Sequence, residues 1–373
     1  VVGLVGSEMC IRDRVGTIGC THLDAGDHAA SIPSLERAVR EFRRLRVPDR
    51  MAHYLGALAE ARLRSGDPGR ALLTAQQSLT QMEGLLGGLG EEEAATTRAR
   101  LAGTFITGAR AAARLEDPAE VAHFLESGRA GALLESLGGR QALRWTDLPE
   151  DLRQAEVEAK SGEVRARSDF EQALAGEDRR ELARRRADLD DALERMREVS
   201  ARIQREAKRQ AGLFYPRAAP LEEIQGWLSD GEVLVLYGLG REESLALVVA
   251  PDSERIVSLA GADEIGKACA TLLPGETGEI RGLRLGGKAG NLDQALGRLR
   301  ALLVDPLELP EKATTVLVSP EGPLCYLPWG ALLPGRSVAL TPSGTTHALL
   351  VEEERGTGEG VLALGNPDYG TPD

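Results

Sequence analysis

The first third of the chain carries apolar residues at helical spacing. Over residues 15–143 this pattern, in a segment rich in Ala, Leu, Arg and Glu, predicts amphipathic helices. Gly66-Asp67 separates two such periodic segments. The small residue Ala59 lies in the segment before it, and Ala71 lies in the segment after it. We therefore predict two antiparallel helices that approach closely at the alanines. Gly66 forms the turn, and Asp67 caps the second helix.

The same turn pattern recurs once upstream and once downstream. Gly26-Asp27 and Glu116-Asp117 are each followed by apolar residues at helical spacing. The three predicted helical hairpins resemble tetratricopeptide repeats, although the intervals between their turns exceed the usual period of about 34 residues. The resemblance implies a concave groove for a peptide or a partner protein. A helical scaffold without a ligand is the alternative interpretation.

The middle of the chain, residues 144–212, is densely charged and predicts a helical hairpin. Apolar residues recur every seven positions on its second arm and more weakly on its first, which is typical of a coiled-coil seam. These positions are Leu182, Leu189, Met196 and Ile203, and Leu152, Ala159, Ala166 and Ala173. The break at residues 175–178 predicts two antiparallel arms. Because acidic residues flank Arg184–Arg186, we interpret that run as a salt-bridged face and not as a nucleic-acid site.

From residue 213 onward, the pattern changes to apolar strands separated by helices. Glu232–Leu239 and Ser244–Ala250 flank a short polar turn and predict an antiparallel hairpin. Thr314–Ser319 is a continuous apolar run, as in strands buried on both faces of a sheet. We predict an α/β domain over residues 213–373, with a mostly parallel sheet and helical cover. The other expected elements are helices at Leu221–Ser229 and Asn291–Val304 and strands at Arg255–Leu259 and Val361–Gly365.

The elements predicted above give the fold class α plus α/β. The composition does not alter this fold class, but it excludes several classes of function. The 373 residues include 45 Lys and Arg against 58 Asp and Glu, a net charge of −13 that argues against a general nucleic-acid binder. No apolar run reaches the roughly 18 residues that a membrane-spanning helix needs. The four cysteines show no short paired spacing, so we expect no disulfide scaffold and a reducing, cytoplasmic compartment.

The first 14 residues differ from the rest of the chain. They read VVGLVGSEMCIRDR, which is too short and too charged for a secretory signal. The string resembles translated adapter sequence of the kind found in assembled environmental DNA. We interpret residues 1–14 as non-native and assign Cys10 no function.

One run in the last third joins a buried strand to a turn rich in proline and glycine. It covers Val316–Leu332 and reads VLVSPEGPLCYLPWGAL. Thr341–Ser343 and Leu362–Asp368 follow it in order, and Glu126–Leu134 lies upstream. These motifs resemble those of CHAT domains, the caspase- and separase-like domains found beside tetratricopeptide repeats. In that family, a helix similar to Glu126–Leu134 joins the repeats to the CHAT region, so the resemblance covers most of the chain.

The resemblance implies a cysteine peptidase that hydrolyses peptide bonds through a thioester. CHAT peptidases use a His after one strand and a Cys after the next, both beyond the segment that matches Gly365–Asp368. Such chemistry needs a thiolate, an imidazole and an oxyanion-binding backbone. Residues 369–373 contain neither His nor Cys. We therefore expect a fragment without the catalytic dyad and predict no catalytic residue, no cofactor and no metal.

The cysteine and histidine residues that are present offer an alternative dyad. Cys325 follows the strand at Thr314–Ser319, and His347 lies on the next predicted helix; their distance in sequence forbids no contact. The other interpretation, which we favour, is a buried structural cysteine and a surface histidine. His53 and His123 lie on predicted repeat helices, where we expect packing or surface roles.

A metal site near the first turn is a further alternative. Cys20, His22, Asp24, Asp27 and His28 lie close together in sequence and have the side chains that bind zinc. Asp27 is already predicted to cap a helix, and no second ligand pair follows. We therefore favour a solvated turn.

Three function classes follow from these observations. The first is a fragment of a CHAT-domain cysteine peptidase whose repeats bind a regulator or substrate protein. The second is a non-catalytic interaction scaffold built on the repeats, and the third is a helical protein whose α/β module binds a small ligand. We expect a protein or peptide partner and neither a nucleic acid nor a membrane. The sequence does not indicate an oligomeric state.

Overall fold

The computed structural model describes residues 14–86, 91–136, 149–174, 179–206, 218–272 and 290–352. It has the predicted α plus α/β class: helices precede a five-stranded sheet that carries helices on both faces. The strand expected at Val361–Gly365, the break at residues 175–178 and residues 1–13 lie outside the described residues.

Six helices form three consecutive hairpins, as the turn pattern predicts. They are α1 (14–24), α2 (His28–Leu45), α3 (Pro48–Arg64), α4 (Pro68–Leu86), α5 (Glu91–Arg114) and α6 (Pro118–Ser136). Ala59 and Ala71 are completely buried where α3 packs on α4. The absence of a larger side chain at either position lets the two backbones approach, so this prediction is confirmed.

The turns of the three hairpins share one hydrogen-bonding pattern. An aspartate Oδ1 accepts a hydrogen bond of 3.0 Å from the backbone N–H three residues later and caps the second helix. The same residue's own N–H donates to the carbonyl five residues earlier, which closes the first helix. These residues are Asp27, Asp67 and Asp117. The residue before each of them adopts the left-handed conformation: Gly26 at φ +81°, Gly66 at φ +85° and Glu116 at φ +55°.

Replacing Glu116 with glycine is expected to raise the free energy of unfolding by about 0.5–1 kcal/mol, because a residue with a Cβ pays a conformational penalty at positive φ. The matched control is Gly66→Ala at the equivalent turn, where no atom lies within 4 Å of an added Cβ. That variant is expected to lose a similar amount. Urea unfolding followed by circular dichroism compares the two, and a destabilised Glu116→Gly variant contradicts the explanation.

The charged middle segment forms the predicted antiparallel helical hairpin of α7 (Glu150–Leu174) and α8 (Arg179–Glu206). Ion pairs join opposite ends of the two arms: Arg202 lies 2.9 Å from Asp151, and Arg185 lies 3.0 Å from Asp169. Leu152 and Met196 of the heptad pattern are buried between the arms. The salt-bridged face expected at Arg184–Arg186 is confirmed for Arg185, which also pairs with Glu181 at 2.7 Å.

The C-terminal part alternates strands and helices. Its main elements are α9 (Leu221–Trp227), β1 (Glu232–Gly238), β2 (Glu243–Ala250), β3 (Ser253–Ala260), α10 (Ala262–Cys269), α11 (Gly290–Leu303), β4 (Thr315–Ser319), α12 (Trp329–Leu332), β5 (Ser337–Leu340) and α13 (Gly344–Glu352). Short 3₁₀ turns lie at Asp305–Leu307 and Gly322–Tyr326. The strands and helices predicted within the described part of this region are confirmed to within a few residues, and α10, α12 and β5 are additional.

The sheet has the strand order β3-β2-β1-β4-β5 and is mixed, so the expectation of a mostly parallel sheet is wrong. β1, β4 and β5 run parallel, whereas β2 and β3 pair antiparallel. The four-residue link over residues 239–242 is too short for a parallel crossover. β5 was missed because it is an edge strand with largely exposed side chains, and therefore lacks the apolar run of a buried strand.

Side chains of β1 alternate between two hydrophobic cores. Leu234 and Leu236 face a core that includes α9 and extends without interruption into α3–α6 of the hairpins. Val235 and Tyr237 face a second core with α10, α11 and α12. Because one core spans the helical hairpins and the sheet, these two parts of the chain pack as one body.

Candidate functional site at the carboxyl edge of the sheet

The parallel strands β1, β4 and β5 end at the same edge of the sheet, where α/β proteins commonly bind ligands. The segments that follow them are Gly238–Gly240, Pro320–Tyr326 and Thr341–Ser343. Helix α6, the last helix of the hairpins, lies against this edge. The candidate site is therefore built from the ends of three strands and from α6. Arg129 of α6 precedes its partner Tyr237 at the end of β1 by more than a hundred residues.

Glu126 of α6 caps the helix that follows β5. Its Oε1 accepts a hydrogen bond from the N–H of Gly344 at 2.7 Å, and its Oε2 accepts from the N–H of Thr345 at 2.8 Å and from the Thr345 hydroxyl at 2.7 Å. The carboxylate is 1% exposed. A carboxylate at a helix N-terminus satisfies free N–H groups and interacts favourably with the helix dipole. Glu126 thus fixes the start of α13 from a helix 218 residues earlier in the chain.

Arg129 lies one turn further along α6 and binds the end of β1. Its Nη2 donates to the carbonyl of Tyr237, and its Nη1 donates to the carbonyl of Leu125 at 2.8 Å. Its Nε is buried and has no hydrogen-bond partner among the described residues. Burial lowers the pKa of Arg129, while Glu321 and Glu126 oppose this shift. The guanidinium thus places a positive charge beneath the loop that carries Cys325.

Cys325 lies in the 3₁₀ turn after β4 and is exposed, so the expectation that it is buried is wrong. Desolvation raises the pKa of its thiol; Arg129 lowers it and Glu321 raises it, with a net upward shift. Glu321 itself accepts a hydrogen bond of 2.9 Å from the N–H of Leu239. A thiol with a raised pKa is protonated at neutral pH and is a weak nucleophile.

Replacing Glu321 with glutamine is expected to accelerate iodoacetamide alkylation of Cys325 near neutral pH by about two- to fivefold. The change removes a negative charge that disfavours the thiolate, so the pKa of Cys325 falls, while the amide oxygen can still accept from Leu239. Peptide mapping by mass spectrometry measures the rate at Cys325 alone. Glu222→Gln, at an exposed position of α9, is the control. An unchanged or slower rate contradicts the role given to Glu321.

His347 has no hydrogen bond to and no charge interaction with Cys325 among the described residues. It is on α13, which runs back from the carboxyl edge, and its charged neighbour is Glu232, the first residue of β1. Burial lowers the pKa of His347, Glu232 opposes this shift, and Nε2 has no hydrogen-bond partner among the described residues. Cys325 follows the last residue of β4, which pairs in parallel with β1. The structure therefore does not bring this Cys and His together.

The histidines of the repeats lie in the helical packing. The ring of His53 meets Tyr54 edge-on with centroids 5.0 Å apart, and His123 meets Phe124 at 5.9 Å. Both histidines are half-buried, which fits the packing role expected for them.

Of the candidate metal residues around the first turn, Asp27 acts as a helix cap. Asp27 caps α2 through its contact with the N–H of Ala30, and its Oδ2 lies 4.0 Å from Nδ1 of His22. Throughout the described ranges, no three His, Cys, Asp or Glu side chains are grouped as metal ligands. The turn interpretation therefore accounts for the geometry of Asp27.

A charged junction joins the hairpins to the β1–β2 turn. Glu60 accepts from Arg64 at 2.6 Å and from Thr107 at 2.8 Å, and Arg64 also lies 3.1 Å from Glu242 of the turn. Burial raises the pKa of Glu60, but the hydrogen bonds from Thr107 and Arg64 and the charge of Arg110 outweigh it, so the pKa lies below its ordinary value. Glu60 is therefore ionised at neutral pH and holds the junction electrostatically.

The sequence of Glu126–Leu134 indicates only a connecting helix and does not predict the contacts of Glu126 and Arg129. The available signal was a polar pair, Glu126 and Arg129, on a helix whose neighbouring positions are apolar. Their partners, Thr345 and Tyr237, carry no matching sequence motif.

Comparison with models of protein families, with curated proteins and with solved structures gave no match. No helix in the described part of the chain combines the length and the apolar character needed to cross a membrane.

Proposed function

We propose that the chain combines tetratricopeptide-like repeats that bind a protein partner with the N-terminal part of a CHAT-type, caspase-like peptidase module. The three hairpins with equivalent Gly-Asp or Glu-Asp turns support the first part of the proposal. The sheet with three parallel strands and the run Val316–Leu332 around its edge support the second.

The observation that carries the proposal is that α6 belongs to both parts. It completes the third hairpin and also supplies Glu126 and Arg129 to the carboxyl edge of the sheet. In an α/β peptidase, this edge is where substrate-binding and catalytic groups gather. A partner bound to the hairpins therefore has a direct mechanical connection to the edge where the chemistry is expected.

A non-catalytic interaction scaffold is the second candidate. The surroundings of Cys325 and His347 favour it for this chain, because no hydrogen bond or charge interaction links the two side chains as a nucleophile–base pair. Under either proposal we expect no thiol-dependent proteolysis by residues 1–373. Iodoacetamide-sensitive cleavage of casein that is lost in Cys325→Ser contradicts this expectation.

Partner binding is tested with the full chain immobilised against a phage-displayed peptide library. We expect enriched peptides whose binding slows hydrogen exchange in α1–α6. A library without enriched binders, or protection restricted to α7 and α8, overturns a partner-binding role of the repeats. A peptide unrelated to the enriched consensus serves as the control for nonspecific protection.

The peptidase assignment is tested in the source DNA downstream of the codon for Asp373. We expect a buried strand ending in His-Gly and then a strand ending in Cys within about a hundred residues, the size range of a module. Their absence favours the scaffold over the peptidase.

A further inference from the structure

The last turns of α2 carry positive charge in an otherwise acidic chain. Five arginines of this segment are exposed, whereas the chain as a whole has a net charge of −13. They are Arg37, Arg40, Arg43, Arg44 and Arg46. We call these residues, together with Arg186, the basic surface.

Two of the acidic residues nearest this segment in sequence have an arginine partner outside the basic surface. Glu36 accepts a hydrogen bond of 2.8 Å from Arg62, which is largely buried. Asp49 pairs with Arg100 of α5. Within the segment, Glu36 also lies 3.9 Å from Arg40, and Glu41 lies 3.7 Å from Arg44, so these two arginines are partly compensated. Among the described residues, Arg37, Arg43 and Arg46 have no carboxylate of α2 within ion-pair distance, so the charge of these three is uncompensated by their own helix.

A second element adds charge of the same sign to this place. The exposed Arg186 of α8 donates a hydrogen bond from Nη2 to the carbonyl of Arg46 at 3.4 Å. Among the described residues, no carboxylate lies within ion-pair distance of Arg43, Arg46 or Arg186. A helix C-terminus favours one or two basic residues, which accounts for Arg43 and Arg44. It does not account for Arg186, which reaches the end of α2 from a separate helix.

The backbone at Arg46 is the third observation. This residue closes α2 in the left-handed conformation at φ +55°, a position that glycine occupies without strain. The turn after α1 has Gly26 at the corresponding place. Strained positions that keep a functional side chain are typical of binding and catalytic sites. Arg46 thus places a guanidinium at a position where the backbone conformation alone favours a glycine.

We propose that the basic surface binds an acidic segment of a partner protein, one rich in Asp and Glu. The inference rests on the proposed partner-binding role of the repeats and names the chemistry of the partner. Guanidinium groups bind carboxylates through paired hydrogen bonds, and arginine clusters are a recurring means of recognising acidic motifs. The basic surface contains no aromatic side chain on which nucleotide bases could stack, which favours a peptide over a single-stranded nucleic acid.

The test measures fluorescence anisotropy of a labelled dodecapeptide of alternating Asp and Glu with the full chain. We expect binding that weakens as salt rises. The double variant Arg46→Gly/Arg186→Ser is expected to weaken it by about tenfold or more. The matched control, Arg165→Ser/Arg195→Ser, removes two exposed arginines from α7 and α8 and is expected to change affinity by less than about twofold.

The single variant Arg46→Gly separates binding from folding. It removes the guanidinium and relieves the backbone, so we expect a higher urea midpoint together with weaker peptide binding. If the peptide does not bind, or if both double variants bind it equally, the inference is wrong. Equal or tighter binding of single-stranded RNA with the same number of charges also overturns it, in favour of a nonspecific polyanion surface.

The outcome is independent of the peptide-display experiment. Display peptides that protect α1–α6, combined with no binding of the acidic peptide, leave the proposed function in place and overturn this inference alone. If no display peptide protects α1–α6 and the acidic peptide does not bind either, the partner-binding role is overturned as well.

Discussion

Replacing Glu126 with alanine is expected to lower the free energy of unfolding by about 2–4 kcal/mol. The substitution removes a buried carboxylate that accepts three hydrogen bonds of 2.7–2.8 Å from Gly344 and Thr345. It leaves two backbone N–H groups without a partner inside the protein. A buried donor that loses its acceptor is destabilised by its full desolvation free energy.

The measurement combines urea unfolding with hydrogen exchange. Exchange of the Gly344 and Thr345 amides is expected to accelerate in Glu126→Ala more than exchange of β1, because the start of α13 loses its fixed cap. Glu126→Gln keeps one acceptor oxygen and is expected to lose about half as much stability. Glu171→Ala, an exposed glutamate of α7, is the control and is expected to lie within about 0.5 kcal/mol of the parent. Equal protection of Gly344 and Thr345 in all three variants contradicts the capping role.

The same Gly→Ala substitution at two places in α5 is expected to have opposite effects. At Gly108, an added Cβ lies 2.3 Å from Cε1 of Phe124, a side chain with no exposed surface. Because the close-packed ring has no space to move into, Gly108→Ala is expected to cost about 1–3 kcal/mol. At the exposed Gly103, no atom lies within 4 Å of the added Cβ, so alanine is expected to stabilise the helix by about 0.5–1 kcal/mol.

Urea unfolding of both variants by circular dichroism decides the comparison. A double variant, Gly108→Ala/Phe124→Leu, tests the cause: the smaller side chain makes room, so the cost of the alanine is expected to be smaller in that background than in the parent. Destabilisation of similar size at Gly103 and Gly108 means that helix propensity, and not the contact between α5 and α6, governs these positions.

The local features of the fold were predictable because they depend on neighbours in sequence. Gly66-Asp67 specifies its turn through a left-handed glycine and a cap that reaches three residues ahead. The apolar run at Thr315–Ser319 is buried as expected, because its composition suits a central strand. Glu116 shows the limit of this reasoning: it occupies a position that favours glycine, and Asp117 still forms the cap.

The features that were missed depend on contacts between distant segments. β5 has mostly exposed side chains, and its strand conformation comes from pairing with β4. The exposure of Cys325 depends on how the loop after β4 lies at the sheet edge, which its apolar neighbours in sequence do not indicate.

By itself, the sequence determined three helical hairpins, a charged coiled-coil hairpin and an α/β region, because periodicity, caps and turns act over a few residues. The order of its motifs also resembles that of CHAT domains, and this resemblance stays a prediction. Only the tertiary structure decided that Glu126 and Arg129 of α6 meet the strand ends, that Cys325 and His347 lie apart, and that Arg186 joins Arg46. Such contacts follow from shared burial and hydrogen-bond satisfaction between elements, and no local pattern encodes which distant residue completes them.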